Sequence, residues 1–314
     1  MIGKAFRNEI SPRQGFFRLR EFTQAELQIF FDEKELNKHD DFKNVQKYPL
    51  QGRFAGKKKI ETVTCEALNK KHKIPKFYVY HLAKVQQFYL ETLHIPKIKF
   101  RFRELSKEEK AFYNKIHFDM ELELETLGGW KEVGGVHMRG THDLKEHQKG
   151  SGEKLEVTVT QDGKTKKVLP SVLELSFGVD RNIWALMDLF FKVEKERTLF
   201  TFPSNLAPID VAVFPLVNKG GLPEKSMEIY EELLQTHLRV FYDSKGAIGR
   251  MYRRMDEIGC PFMITVDHQT LKDGTVTVRD HGSMKQIRIK IKDIKNTISE
   301  LIKGENMSKF GKFI

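Results

Sequence analysis

Residues 6–26 read "FRNEISPRQGFFRLREFTQAE". Arg7, Arg13, Arg18 and Arg20 lie in that stretch beside Phe6, Phe16, Phe17, Leu19 and Phe22, more apolar surface than a solvated basic tail carries. From Phe17 onward the alternation is that of a strand with one face on a core. A period of two sends Arg18, Arg20, Phe22, Gln24, Glu26 and Gln28 to one side and Leu19, Ala25, Leu27, Ile29 and Phe31 to the other, with Glu21 and Thr23 as exceptions. The first side is a polar floor with cations at one end, an aromatic ring in the middle and a carboxylate further on. It suits a ligand that is anionic, then flat, then cationic. The plainer alternative is the solvent face of an antiparallel sheet. Ser11, Pro12 and Gly15 mark a turn ahead of this strand, so Arg7 and Glu9 belong to the other arm of a hairpin. Arg7 is thereby brought beside Arg18 and Arg20, and guanidinium forks match the oxygens of a phosphate.

The chain has 314 residues, 39% hydrophobic and 31% charged, which is ordinary for a soluble protein of about two domains. Cys65 and Cys260 have no CxxC spacing, so neither a zinc site nor a disulfide framework is indicated and a reducing compartment is expected. No apolar run reaches the roughly eighteen residues of a membrane span, and no signal-type segment opens the chain; a cytoplasmic location is expected. The net charge of +11 is regional: between Lys38 and Leu105 there are 16 Lys and Arg against 6 Asp and Glu. Phe54, Phe77, Tyr78, Tyr80, Phe88 and Tyr89 interleave with those lysines, which favours a nucleic-acid partner over a membrane or a merely solubilising surface.

Four regions follow one another. Residues 1–36 read as strand, loop and strand, 37–125 as a basic insertion of mixed, partly helical character, and 126–200 as strands and then a helix. After the proline-marked joint near 200, residues 203–314 alternate "IDVAVFPL", a helix over 224–238, "RVFYD", a helix over 247–258, "PFMITVD", "GTVTVRD" and "QIRIKI". That order predicts a separate α/β domain of about 100 residues.

Four stretches together carry a resemblance. Residues 6–26 resemble the second signature motif of class II aminoacyl-tRNA synthetases, in the form used by the glycyl enzymes of archaeal and eukaryotic type. "PSVLELSFGVDRNIWALMD" (170–188) resembles their third motif, and "GGWKEVGGVHMRGTHDLKEH" (128–147) the segment before it. "GRMYRRMDEIGCPFMITVDHQTLKDGTVTVRDHGSMKQIRI" (249–289) is similar to their anticodon-binding domain. The implied fold class is α+β, an antiparallel sheet of roughly six or seven strands with flanking helices over 1–200 and an α/β anticodon-binding domain over 203–314. The implied activity is ATP-dependent formation of glycyl-adenylate and transfer of glycine to tRNA-Gly. By this resemblance Arg7 grips the α-phosphate, Glu9 the adenine amino group, Phe22 stacks on the base, and Arg181 holds the γ-phosphate, Arg7 and Arg181 being the catalytic pair. Asn8, Phe17, Arg18, Arg20, Glu132, Val133 and Gly178 complete the ATP site. Glu26, Glu174, Leu175 and Ser176 contact glycine, and Glu132 is the candidate for Mg²⁺. Glu174 has a plainer reading as the partner of a nearby arginine.

Such chemistry needs position and charge neutralisation rather than a protein nucleophile, so no histidine is assigned a catalytic role, and His142 and His147 near Asp143 are expected to be structural. "GSGEKL" (150–155) lacks the Gly-Lys-Ser/Thr ending of a phosphate loop and reads as a turn. "NMSKF" (306–310) echoes an element of the class I synthetases by chance. Leu175 and Asp180 stand where the family often has proline and glycine, and Asp180 is expected to weaken the phosphate contact of Arg181. The chain begins almost on the second motif, so it is expected to be the C-terminal part of a synthetase, a homodimer when the N-terminal part is present or the partner of a complementing N-terminal polypeptide. A competing reading is a non-catalytic nucleic-acid-binding relative.

Overall fold

The computed structural model describes residues 1–54, 56–106, 108–112, 114–161 and 163–314. They form two compact units, Met1–Leu189 and Phe190–Ile314.

The first unit is built on one sheet. Its strands are β1 (Ile2–Phe6), β2 (Glu21–Phe31), β3 (Pro49–Arg53), β4 (Glu61–Thr64), β5 (Phe100–Glu104), β6 (Ile116–Leu124), β7 (Gly129–Gly140) and, later in the chain, β10 (Ser171–Gly178), in the spatial order β1-β2-β10-β7-β6-β5-β3-β4. The helices are α1 (Cys65–His72), α2 (Lys76–Gln87), α3 (His142–Ser151) and α4 (Val179–Phe190). A separate hairpin, β8 (Val157–Gln161) with β9 (Lys164–Val168), precedes β10. The sheet thus has eight strands rather than six or seven, and β3 pairs with β5 in parallel while the other pairs are antiparallel.

Register explains which residues meet. Across the centre, Glu26, Ser176, Gly135 and Asp119 are successive partners, as are Gln28, Glu174, His137 and His117. The intervening rows, Leu27–Leu175–Val136–Phe118 and Ile29–Leu173–Met138–Ile116, project to the opposite face. Leu173, Leu175, Val136, Met138 and Phe118 are buried there, against Tyr78 of α2, whose hydroxyl donates to the Val136 carbonyl at 2.5 Å.

Three expectations need correction. The strand after the turn begins at Glu21, not Phe17: Gly15, with φ +52°, opens a short 3-10 turn over Gly15–Phe17, so Arg18 and Arg20 sit on the loop. The hairpin itself forms, with Phe6 opposite Glu21 and the Arg7 amide donating to the Arg20 carbonyl at 2.9 Å. Its apolar side is only partly covered, since Leu27 is 52% exposed. Residues 37–125 are not a module set into the domain, because they supply β3 to β6 of the same sheet. Their aromatics do not all face a partner either: Phe54, Tyr78 and Tyr89 are wholly buried, and Tyr78, Leu82, Val85 and Tyr89 fall at helical spacing on one inner face.

The second unit starts with the hairpin β11 (Phe191–Val193) and β12 (Thr198–Phe200). Then come β13 (Val211–Pro215), α5 (Leu222–Leu234), β14 (Val240–Tyr242), α6 (Ile248–Ile258), β15 (Phe262–Val266), the short α7 (Thr270–Asp273), β16 (Thr275–Asp280), β17 (Gln286–Lys290) and α8 (Ile294–Ile302). The sheet order is β14-β13-β15-β16-β17, with β13 parallel to both neighbours and the rest antiparallel. Val211 and Val213 pack with α5 and α8, and Ala212 and Phe214 with Met251 and Met255 of α6. The boundary precedes the joint at 200 because Arg197 is anchored inside this unit, donating to Asp256 Oδ2 at 3.1 Å and to the His281 carbonyl at 2.7 Å. No helix among the described residues is long and apolar enough to cross a membrane.

Candidate active site

The loop between β1 and β2, the start of α4 and the near end of β7 enclose a pocket. Arg7, Glu9, Phe16, Phe17, Arg18, Phe22, Gln24, Glu132, Val133, Ser176, Gly178 and Arg181 are among its lining residues. The Arg7 guanidinium lies 5.6 Å from the Phe22 ring centroid. Arg18 Nε donates to Glu9 Oε2 at 2.9 Å, and Arg20 Nε to the main-chain oxygen of Glu9 at 2.8 Å. From the other wall, Arg181 Nη2 donates to the Phe17 carbonyl at 2.9 Å and Nη1 lies 3.2 Å from Glu132 Oε1. Guanidiniums from the loop and from the helix thus face one space, Arg18 and Arg181 held by acceptors of the protein itself and Arg7 against the Phe22 ring.

The start of α4 is fixed by side chains that the motifs did not single out. Asn182 Nδ2 donates to the Val133 and Gly178 carbonyls and its Oδ1 accepts from the Tyr89 hydroxyl at 2.8 Å. Asp180 does not turn towards Arg181. Its Oδ2 accepts from the Thr23 amide at 2.6 Å, so it ties the helix to β2 rather than weakening the arginine.

Glu26, Glu174 and Ser176 stand on the same face of the sheet, at the next positions along β2 and β10. Gln24 links this part to the arginine pocket: its Nε2 donates to Ser176 Oγ at 2.7 Å and to Glu26 Oε2 at 3.2 Å. Gln28 Nε2 donates to Glu26 Oε1 at 2.6 Å. A second cavity opens here, lined in part by Glu26, Gln28, Phe30, Arg139, Asp143, His147 and Glu174. Arg139 donates Nη1 to Glu174 Oε2 at 2.9 Å and Nε to Asp143 Oδ2 at 2.7 Å, so Glu174 has an arginine partner as well as a place in the cavity. Burial raises the Glu174 pKa above the ordinary carboxylate value; Arg139 opposes the shift and nearby Glu26 adds to it. A cation arriving between Glu174 and Glu26 relieves that unfavourable pairing.

Of the residues expected here, Leu175 is corrected: an odd position on β10 puts it on the core face, 5% exposed, opposite Leu27 and Val136. Asn8 is exposed on the loop and, like Arg20, does not line the pocket. Glu132 is engaged by Arg181, and no group of three His, Cys, Asp or Glu able to hold a metal ion occurs among the described residues. Arg139 and His137 were legible only as positions within a quoted motif, whereas the alternation of β2 had already placed Gln24 on the polar face. The alternation of Gly135, His137 and Arg139 with Val136 and Met138 is the signal that puts them on the cavity face.

Residues 210–301 match the family model of the anticodon binding domain. Glycine–tRNA ligases of Thermococcus gammatolerans and Thermococcus kodakarensis are each 34% identical to this chain over 97% and 96% of its length, and the chain spans 66% of either relative. The enzyme of Pyrococcus furiosus is 34% identical over 96% of the chain, which spans 67% of it. The chain therefore covers about two thirds of the length of these relatives. With an arginine pocket beside a carboxylate-lined one and an anticodon-binding domain behind them in sequence, the chain belongs to the glycine–tRNA ligase family.

Proposed function

We propose that the first unit carries an amino-acid activation centre that joins glycine to ATP and passes the glycyl group to tRNA-Gly. The observation that carries this reading is the adjacency of the two cavities: Gln24 and Ser176 of the arginine-lined space are hydrogen-bonded to each other, and Gln24 also donates to Glu26 of the carboxylate-lined one. An aminoacyl-adenylate has that distribution, anionic at the phosphate and cationic at the ammonium.

ATP enters with its base on Phe22 and its phosphates among Arg7, Arg18 and Arg181. The protein acceptors that now hold Arg18 and Arg181 are exchanged for phosphate oxygens, which pair with guanidinium bidentately. Glycine enters with its ammonium between Glu26 and Glu174 and beside Ser176. Its carboxylate oxygen attacks the α-phosphorus, the bond to the bridging oxygen breaks, and pyrophosphate leaves. The arginines neutralise charge gathering on the phosphoryl oxygens, and the fixed pose replaces a bimolecular encounter. The terminal ribose hydroxyl of tRNA then attacks the glycyl carbonyl and AMP departs. The single carboxylate of Glu132 fits a Mg²⁺ held mainly by substrate phosphates, the usual manner for that ion, which supplies further charge neutralisation when bound. The match of residues 210–301 to an anticodon-binding family supports tRNA as the acceptor.

The test is exchange of labelled pyrophosphate into ATP. Glycine should support it, and Glu174→Gln should raise the glycine KM while leaving the ATP KM near the parental value. Exchange without glycine, or an E174Q variant unchanged in both, contradicts the reading.

A further inference from the structure

His137 occupies a position that nothing above uses. It lies on the cavity face of β7 between Glu174 of β10 and His117 of β6, its partners in register. Its ring does not stand away from the sheet. A methyl group on Gly135 would meet it, within 3.0 Å of Cε1, 3.2 Å of Cδ2 and closer still to Nε2, so the imidazole lies down along the strand above Gly135. Gly135 is the partner of Ser176. The ring therefore extends from the Glu174 row into the Ser176 row, over the β7 floor that flanks Glu174 and Ser176 on the side away from Glu26.

The ring is also clamped. Its centroid is 4.1 Å from that of His117, and His117 is fixed from beyond by Asp119 Oδ1 at 3.1 Å from Nε2 and by Asn114 Nδ2 at 3.3 Å from Nδ1. Burial, with the charges of His117 and Arg139 beside it, pushes the His137 pKa down to about 3, so the imidazole is neutral at working pH and does not repel the ammonium. A flat, neutral, immobilised plate beside Ser176 leaves a hydrogen at the substrate α-carbon room and denies it to a methyl.

We propose that His137, seated on Gly135, is a specificity-determining residue that excludes amino acids larger than glycine. This rests on the functional reading above. A hydrophobic pocket separates substrates differing by one methyl or methylene by only about 10 to 200-fold when it merely offers room, whereas an unyielding wall adds a clash for the larger one.

The experiment titrates the full chain by calorimetry with two stable adenylate mimics, glycyl- and alanyl-sulfamoyl adenosine. The parental protein should favour the glycyl mimic. In His137→Ala the alanyl mimic should gain about tenfold or more, with the glycyl mimic changed much less. Gly135→Ala should unseat the ring and weaken the glycyl mimic, and adding His137→Ala to Gly135→Ala should restore it, a recovery that general loss of folding does not produce. His137→Phe, which keeps a plate, should keep the discrimination. If the parental protein discriminates and H137A discriminates equally, the inference is overturned and the functional reading stands. If the parental protein binds neither mimic, the functional reading falls and takes the inference with it.

Discussion

The two halves of the candidate site are built differently. The carboxylate half stands on strands: Glu26, Glu174 and Ser176 take their positions from the register of β2, β10 and β7, Arg139 sits where the β7 pairing shifts between Met138 and Gly140, and Glu174 is only 6% exposed. The arginine half stands on a loop and on the first turn of a helix, and its cations are retained by Glu9, Glu132 and the Phe17 carbonyl. One half is preset for its ligand. The other must give up protein partners to take phosphate. A small ligand offering few contacts gains most from a rigid site, whereas a triphosphate brings enough charge to displace internal pairs.

This contrast predicts the ordering of mutational effects. The largest belongs to the arginines: Arg181→Ala or Arg7→Ala removes charge stabilisation that strengthens as the phosphoryl group transfers, and kcat for pyrophosphate exchange should fall about 10² to 10³-fold. Exchange within a few-fold of the parental rate would mean that these guanidiniums serve the fold rather than the phosphate. Arg139→Ala should act through the other half. It leaves Glu174 buried without its cation, so unfolding in urea should show a loss of about 2 kcal/mol, where truncating a surface ion pair costs under about 1 kcal/mol. An unchanged midpoint would show that Glu174 is satisfied by other groups.

Acidity should separate the halves further. Because burial raises the Glu174 pKa above its ordinary 4.5, protonation on acidification begins earlier than for an exposed carboxylate, and the protonated acid no longer attracts an ammonium. Glycine affinity should therefore weaken above pH 4.5 as pH is lowered, while ATP affinity follows the phosphates. The sign for stability is opposite: a carboxyl with a raised folded pKa contributes stability fully below its unfolded value and loses it as pH rises through the folded one. Glu174→Gln should abolish the glycine limb. If the limb persists in E174Q, another group sets it.

The smallest effect lies away from both halves. Lys57 already pairs with Glu61, and Lys58 and Lys59 are exposed beside it. Neutralising all three should lower the log-log salt slope of tRNA binding by up to about 0.7 to 0.9 for each lost phosphate contact. An unchanged slope returns this stretch to a solvated surface.

What the sequence made legible follows the same division. Alternation along 21–31 predicted which β2 residues share the cavity face, because a strand with one buried side has only one register that works. The strands of 203–314 and the helices now α5 and α6 were readable for the same reason, since each strand is short and bounded by turn residues, whereas α7 and α8 were not read. The loop was not. A glycine at positive φ and a 3-10 turn interrupt the alternation before Glu21, so Arg18 and Arg20 looked like strand residues. The aromatics of the basic segment misled because composition does not say which side of α2 a tyrosine takes, although the spacing of Tyr78, Leu82, Val85 and Tyr89 does. Arg139 and His137 escaped because Gly134 and Gly135 blur the start of the β7 alternation, and only its continuation through Val136, His137, Met138 and Arg139 shows the face, with His137 opposite Glu174.

The central claim is that the two cavities act as one site for an adenylate. Calorimetry of the full chain with ATP, with glycine and with glycyl-sulfamoyl adenosine tests it most directly. The account predicts that the joined molecule, spanning both halves, binds at least about a hundredfold more tightly than either substrate, since linking two ligands in the right geometry makes the second contact intramolecular. Affinity no greater than that for ATP alone would contradict it.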